Sequence, residues 1–229
     1  MGQRPSDHVD QTIATYDSIA TAYKITATPE LRAWLQESMR LFVDYLPGIR
    51  VLVPGCGDGR DSMYLSSLGL DVISFDLSPG MLKVAISQDP GGTYMRRDLR
   101  DIHTFDGSYD GIWACGCLYH LTKHEFSRCI RSCQALLSAG GVLYLNMKEG
   151  EGERYEEQPG PRCPGGPRAR ELLRGRRFYA YYGHEELLAH LRGFELLLER
   201  RLLPAEGGFE LCLRKREVHR AASASRRTS

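Results

Sequence analysis

The sequence predicts an α/β fold: a seven-stranded sheet, parallel except for its last strand, with helices on both faces and a helical segment ahead of it. Three observations carry this. From Arg50 onward, short apolar runs alternate with helical patterns, which is the signature of strand and helix units building a parallel sheet. The first run ends in a glycine-rich turn and the second in an acidic residue, the arrangement found at the crevice of a doubly wound sheet. The last two runs are separated only by Pro204-Ala205-Glu206-Gly207, too short for a parallel crossover, so they form an antiparallel hairpin.

The elements follow in order. Ile13, Tyr16, Ala20 and Tyr23 recur at spacings of three and four, as do Leu31, Trp34, Leu35, Phe42, Tyr45 and Leu46, so two amphipathic helices are expected over 10–24 and 29–46. Thr28-Pro29 caps the second and Pro47-Gly48 ends it. Strands follow at 50–56, 71–77, 93–98, 109–116 and 142–148, alternating with helices at 60–69, 79–87 and 124–141. A helix at 184–193 and strands at 194–203 and 208–215 complete a single domain over 1–216. Between Glu149 and Arg177 the chain turns to Gly, Pro, Glu and Arg, and residues 149–177 are expected to be a mobile loop, with 217–229 a disordered basic tail.

Composition narrows the class of protein. The chain has 229 residues, 42% hydrophobic and 26% charged, and these are globular values. It lacks an apolar run long enough to span a bilayer and a charged-then-apolar leader, so a cytoplasmic protein with no membrane partner is expected. Seven cysteines in a chain of this size need not form a disulfide scaffold and are read as reduced thiols. The segments 161–177 and 214–229 each carry +5 within a total of +1, which leaves −9 on the remainder. An acidic body with two basic segments argues against a nucleic-acid surface, so a small molecule is the expected partner of a monomer or weak homodimer.

The site begins at Val51-Leu52-Val53-Pro54-Gly55-Cys56-Gly57-Asp58-Gly59-Arg60-Asp61, a strand entering a glycine turn and then a helix. Such glycines let backbone approach a ligand closely. Asp76, 21 residues after Gly55, ends the next strand where a carboxylate accepts from ribose hydroxyls. A nucleoside-bearing cofactor is expected. A dinucleotide fingerprint needs a small residue where this chain has Arg60, so a nicotinamide cofactor fits poorly. Cys115-x-Cys117 with His120 and His124 is a poor zinc pattern, and no metal is expected. Cys129 and Cys133 share an apolar helical face with Phe126 and Ile130 and are core residues.

Over residues 10–215 these motifs resemble those of the class I S-adenosylmethionine-dependent methyltransferases. VLVPGCGDGRD is similar to their first motif, FDLSPGML to the second, RRDLRDI to the third, YDGIWACGCLYHL to the fourth, and LSAGGVLYLNMK to the passage that follows. The resemblance implies a Rossmann-like sheet ordered 3-2-1-4-5-7-6 with S-adenosyl-L-methionine over the ends of strands one to four. It places Gly55, Cys56, Gly57, Gly59 and Arg60 beside the methionine part, Asp76 at the ribose, and Leu77 and Met81 at the adenine. Asp98 and Leu99 fall at the adenine amino group, and backbone around Ala114 and Cys115 on the sulfonium side. YDSIATAY resembles a lid helix, with Tyr16 or Tyr23 at the cofactor carboxylate. Val53-Pro54 is similar to thiopurine-type enzymes and GRDSMYL to the tellurite-resistance group.

The expected function is methyl transfer to an oxygen, nitrogen or sulfur atom of a small molecule. Thiol or metalloid detoxification and a non-catalytic cofactor-binding protein stand as alternatives. His120, just after the fourth strand, is the candidate general base, since a near-neutral imidazole suits proton removal, and Tyr119 is its backup. Phe178, Tyr179, Tyr181 and Tyr182 are candidates for an acceptor pocket or an ordinary edge strand, with Lys148, Glu149 and Cys117 as possible lining.

Overall fold

A computed structural model describes residues 8–26, 28–158, 171–202 and 207–216. Strands β1 (Arg50–Pro54), β2 (Asp71–Asp76), β3 (Thr93–Arg96), β4 (Tyr109–Ala114), β5 (Leu137–Met147), β8 (Phe194–Arg201) and β9 (Phe209–Lys215) form one sheet. Its order is β3-β2-β1-β4-β5-β9-β8, with β9 antiparallel to both neighbours and the other pairings parallel. This is the expected order, because two further strands, β6 (Glu153–Gln158) and β7 (Gly175–Ala180), pair antiparallel in a separate small sheet.

The central strands are apolar on both faces because both are covered. In β4 Ile112 packs on one side and Trp113 on the other, and β5 alternates likewise, with Leu143 and Leu145 opposite Val142 and Tyr144. Helix α5 (Lys123–Leu136) covers the first face with Phe126, Cys129, Ile130 and Cys133, joined by Leu187 of α6 (His184–His190). The second face is covered by α2 (Pro29–Tyr45), α3 (Arg60–Ser67) and α4 (Pro79–Gln88), through Leu35, Met39, Phe42, Leu65 and Leu82.

The caps account for the helix starts. Thr28 Oγ1 accepts from Leu31 N with Pro29 in the first turn of α2, and Thr122 and Glu125 form a reciprocal capping box on α5. Helix α5 ends at Leu136, four residues before Gly140 of the Gly140-Gly141 pair, because β5 already pairs with β4 at Leu137. At the other end of the chain α1 (His8–Ile19) continues into a 3₁₀ turn, Ala20–Thr26.

One expectation is corrected. Part of 149–177 is ordered hairpin, and β7 runs through Arg176 and Arg177 into the aromatic run. Composition concealed this because the two strands are polar: Glu156 is in register with Arg177 and Glu157 with Arg176, while the Glu156 carboxylate accepts from Arg154 of its own strand. Apolar contact adds to the pairing, with Tyr155 edge-on to Phe178 at 5.7 Å. Helix α1 holds β7 from the other side: Thr15 Oγ1 donates to Arg176 O at 2.7 Å, and Phe178 N donates to Thr12 Oγ1 at 3.1 Å. Residues 159–170 and the tail 217–229 lie outside the described residues.

Candidate functional site

A cavity of about 500 Å³ opens over the carboxyl ends of β1, β2, β4 and β5, roofed by α1 and β7. The glycine turn forms its floor. Gly55 has φ +62°, and a Cβ there would collide with Cys117 Cβ, so only glycine fits between β1 and the turn after β4. Gly57 has φ +56° and open space where a Cβ would stand, which leaves its backbone bare to the cavity. Its N–H donates to Asp76 Oδ2 at 2.9 Å, and Ser78 N donates to Oδ1 at 2.8 Å. Burial pushes the Asp76 carboxyl up and these backbone bonds pull it back.

Beyond the turn, Arg60 Nε donates to Asp61 Oδ1 at 2.7 Å, and Trp113 Nε1 donates to Asp61 Oδ2 at 2.9 Å. Burial alone would raise the Asp61 pKa, but Arg60 and the indole outweigh it and hold it below the usual carboxylate value. The bound carboxylate fixes the Arg60 guanidinium at the cavity wall. Asn146, at the end of β5, accepts from Gly116 N at 2.6 Å and so sets the backbone after β4.

Helix α1 closes the top. Asp17 Oδ1 accepts from Ser78 Oγ at 2.5 Å and from Gly80 N at 2.8 Å, tying the lid to the start of α4. Tyr16, one residue earlier, reaches down to His120 Nε2 at 2.8 Å, while His120 Nδ1 meets Phe178 O at 2.6 Å. A carbonyl oxygen only accepts, so Nδ1 carries the proton and Nε2 accepts from the Tyr16 hydroxyl.

Two features of this arrangement bear on the base role read for His120. Its lone pair is already engaged, and burial lowers its pKa to about 3, aided by Arg177 and Lys148 and opposed by the bond to Phe178. Tyr119 fares no better as a base, since burial pushes its phenol well above the ordinary value. A pH consequence follows. His120 stays neutral in the folded chain at pH values where an unfolded chain protonates it, below about 6.5. Fold stability therefore falls with pH from about 6.5 toward 3, and the rate shows no acid limb near pH 6.5 from this imidazole. An acid limb that His120→Asn removes would restore the base role.

Of the predicted residues, Tyr16, Tyr23, Gly55, Cys56, Gly57, Arg60, Asp76, Leu77, Met81, Asp98, Leu99, Cys115, Tyr119 and His120 all line this one cavity. Two do not. Gly59 turns the chain into α3 with φ +80°, and Ala114 is buried in the core of the sheet. Asp98 is partly spoken for, since Arg100 chelates its carboxylate. Of the aromatic run only Tyr179 lines the cavity; Phe178 contributes its carbonyl, while Tyr181 and Tyr182 pack elsewhere. Lys148 and Cys117 line it, whereas Glu149 pairs with Arg201.

Sequence reasoning missed Asp61, Trp113, Asn146 and Arg177, which also line the cavity. An acidic residue directly after Arg60 was a readable signal for the first. Arg177 carried none, lying in a stretch that reads as loop.

Comparison with known proteins agrees with the motifs. Residues 51–141 match the family described as a methyltransferase domain. A ubiquinone biosynthesis O-methyltransferase of Xanthomonas campestris pv. campestris is 34% identical over 106 residues, 44% of this chain and 44% of that protein. The chain thus spans less than half the length of the curated relatives it matches. Among solved structures, the CcbJ methyltransferase from Streptomyces caelestis superposes with TM-score 0.69 at 19% identity, over 91% of this chain and 100% of that one. A DhpI–SAH complex superposes with TM-score 0.70 at 19% identity, over 93% and 98%. At that identity the likeness gives the fold.

Proposed function

We propose that this chain, whose fold is that of the class I S-adenosylmethionine-dependent methyltransferases, transfers a methyl group from that cofactor to a small-molecule acceptor. The observation that carries this is the Asp76 carboxylate bound to Gly57 N beside a bare glycine turn, on a cavity of about 500 Å³. The donor set fits the group: a carboxylate for ribose hydroxyls, an open backbone at Gly57, and an anchored Arg60 for a carboxylate. Met81 and Leu99 supply apolar wall on the Asp76 side.

When bound, the cofactor supplies a methyl group on a sulfonium, already joined to a good leaving group. The chain's own contribution is then mainly placement. Asn146 fixes the backbone at Gly116, the Tyr16–His120 bond pins the lid over the cavity, and Tyr119 and Tyr179 wall the acceptor end. His120 acts here as a positioning residue. With Tyr119 protonated and the His120 lone pair occupied, the site suits an oxygen, nitrogen or sulfur acceptor that is nucleophilic without help from either group. A dissolved acceptor and a monomer or weak homodimer in the cytoplasm complete the reading.

Titration with S-adenosylhomocysteine tests the cofactor, with a rise in melting temperature by mass action as the expected result. A screen with methyl-labelled cofactor against phenols, amines, thiols and metalloid oxyanions tests the transfer. Stabilisation by nicotinamide dinucleotides and not by S-adenosylhomocysteine would overturn the assignment.

A further inference from the structure

We propose that the acceptor is anionic, and that a carboxylate or phosphate-type oxyanion on it sits between Arg177 and Lys148. This rests on the methyltransferase reading and names the substrate class of the same cavity. Arg177 on β7 is 8% exposed and lines the cavity, and its Nε is buried without a hydrogen-bond partner. Among the described residues no carboxylate pairs with it. The other enclosed arginines differ in this: Arg60 has Asp61, Arg100 has Asp98 and Arg200 has Glu210. A buried charge without a counter-ion is costly, and sites that keep one are built to receive an opposite charge.

Bonds to the Tyr179 and Tyr16 hydroxyls and aromatic contact offset part of that cost. The Arg177 guanidinium lies 4.6 Å from the Tyr16 ring centre. Lys148, at the end of the cavity where β5 leaves the sheet, has Nζ 5.2 Å from the Tyr179 ring and 5.7 Å from that of Tyr119, again with no carboxylate among the described residues. The two cations therefore converge on one aromatic-walled end, and both depress the His120 pKa, which places them within electrostatic reach of the Tyr16–His120 pair. Arg60 lines the cavity beside the glycine turn, with its Nε on Asp61. A planar guanidinium matches a two-oxygen anion, and an ammonium adds a point charge.

The test is binding of benzoate, phenylphosphonate and neutral benzamide to the full chain, alone and saturated with S-adenosylhomocysteine, by calorimetry. We expect at least one anion to bind about tenfold or more tighter than benzamide, as charge-assisted bonds imply. Arg177→Met and Lys148→Met should each erase that preference, Arg177→Lys should restore part of it, and Lys148→Met should change S-adenosylhomocysteine affinity by less than about threefold. Preference for benzoate alone identifies a carboxylate, and for phenylphosphonate alone a phosphate-type group. Equal binding of benzamide, a preference that survives both substitutions, or loss of S-adenosylhomocysteine binding in Arg177→Met with the anion preference intact would overturn the proposal. Anion binding without any S-adenosylhomocysteine binding would instead refute the cofactor assignment and leave the anion site standing. Lys148 is half-buried, so its variant keeps the test decisive if Arg177→Met fails to fold.

Discussion

Asp76→Ala weakens S-adenosylhomocysteine binding by about a hundredfold or more. A carboxylate has about four acceptor positions. Gly57 N and Ser78 N use two, and the others are available to a ligand in the cavity that Asp76 lines. Hydrogen bonds to a charged group contribute about 1.5–3 kcal/mol each, so losing two to ribose hydroxyls already accounts for the effect. The substitution also strips Gly57 N–H of its acceptor, which loosens the turn that forms the floor. Asp76→Asn keeps one acceptor oxygen and should fall between the parent and the alanine variant. Calorimetric titration measures all three. An alanine variant binding within threefold of the parent would show that the ligand does not use this carboxylate.

The second large effect is on stability. Trp113 is fully buried, its ring stacked 3.6 Å from Tyr144 at 12° and edge-on to Phe42 at 5.3 Å. Trp113→Ala leaves a large void, typically costing about 3–5 kcal/mol. It also removes the indole N–H from Asp61, at about 1–3 kcal/mol for a buried acceptor left short of a donor. Set against a total stability of about 5–15 kcal/mol, this should lower the melting temperature by about 10–20 °C. Trp113→Phe also removes the N–H but leaves a smaller void, so its cost should fall below that of Trp113→Ala. Because Asp61 holds Arg60 at the cavity wall, both variants should also weaken cofactor binding. A drop of less than about 3 °C in Trp113→Ala would mean that this side of the sheet repacks freely.

Much of the fold and half of the site were legible in the sequence because their information is local. The strand, glycine turn and helix of 51–61 are contiguous, and Asp76 follows within one strand and helix unit. Their geometry is set by positive φ at Gly55 and Gly57 and by the cap at Ser78, which depend on neighbouring residues. Strand order followed from alternation, from the short last turn and from the family resemblance those motifs carry.

The end of the cavity lined by Tyr179, Lys148 and Arg177 was decided by tertiary structure alone. Tyr16 meets His120 across 104 residues, His120 meets Phe178 across 58, and Thr15 meets Arg176 across 161. Such contacts leave no period in the chain. The β6–β7 hairpin that brings Arg177 to Tyr16 is built from strands rich in Glu and Arg, which in the sequence read as solvated loop. His120 shows the same division: its residue type suggested a base, but its protonation depends on burial, on the Phe178 carbonyl and on two cations brought in from β7 and the end of β5. Local chemistry determined the glycine turn and Asp76, and long-range packing determined which charges stand at the other end of the cavity.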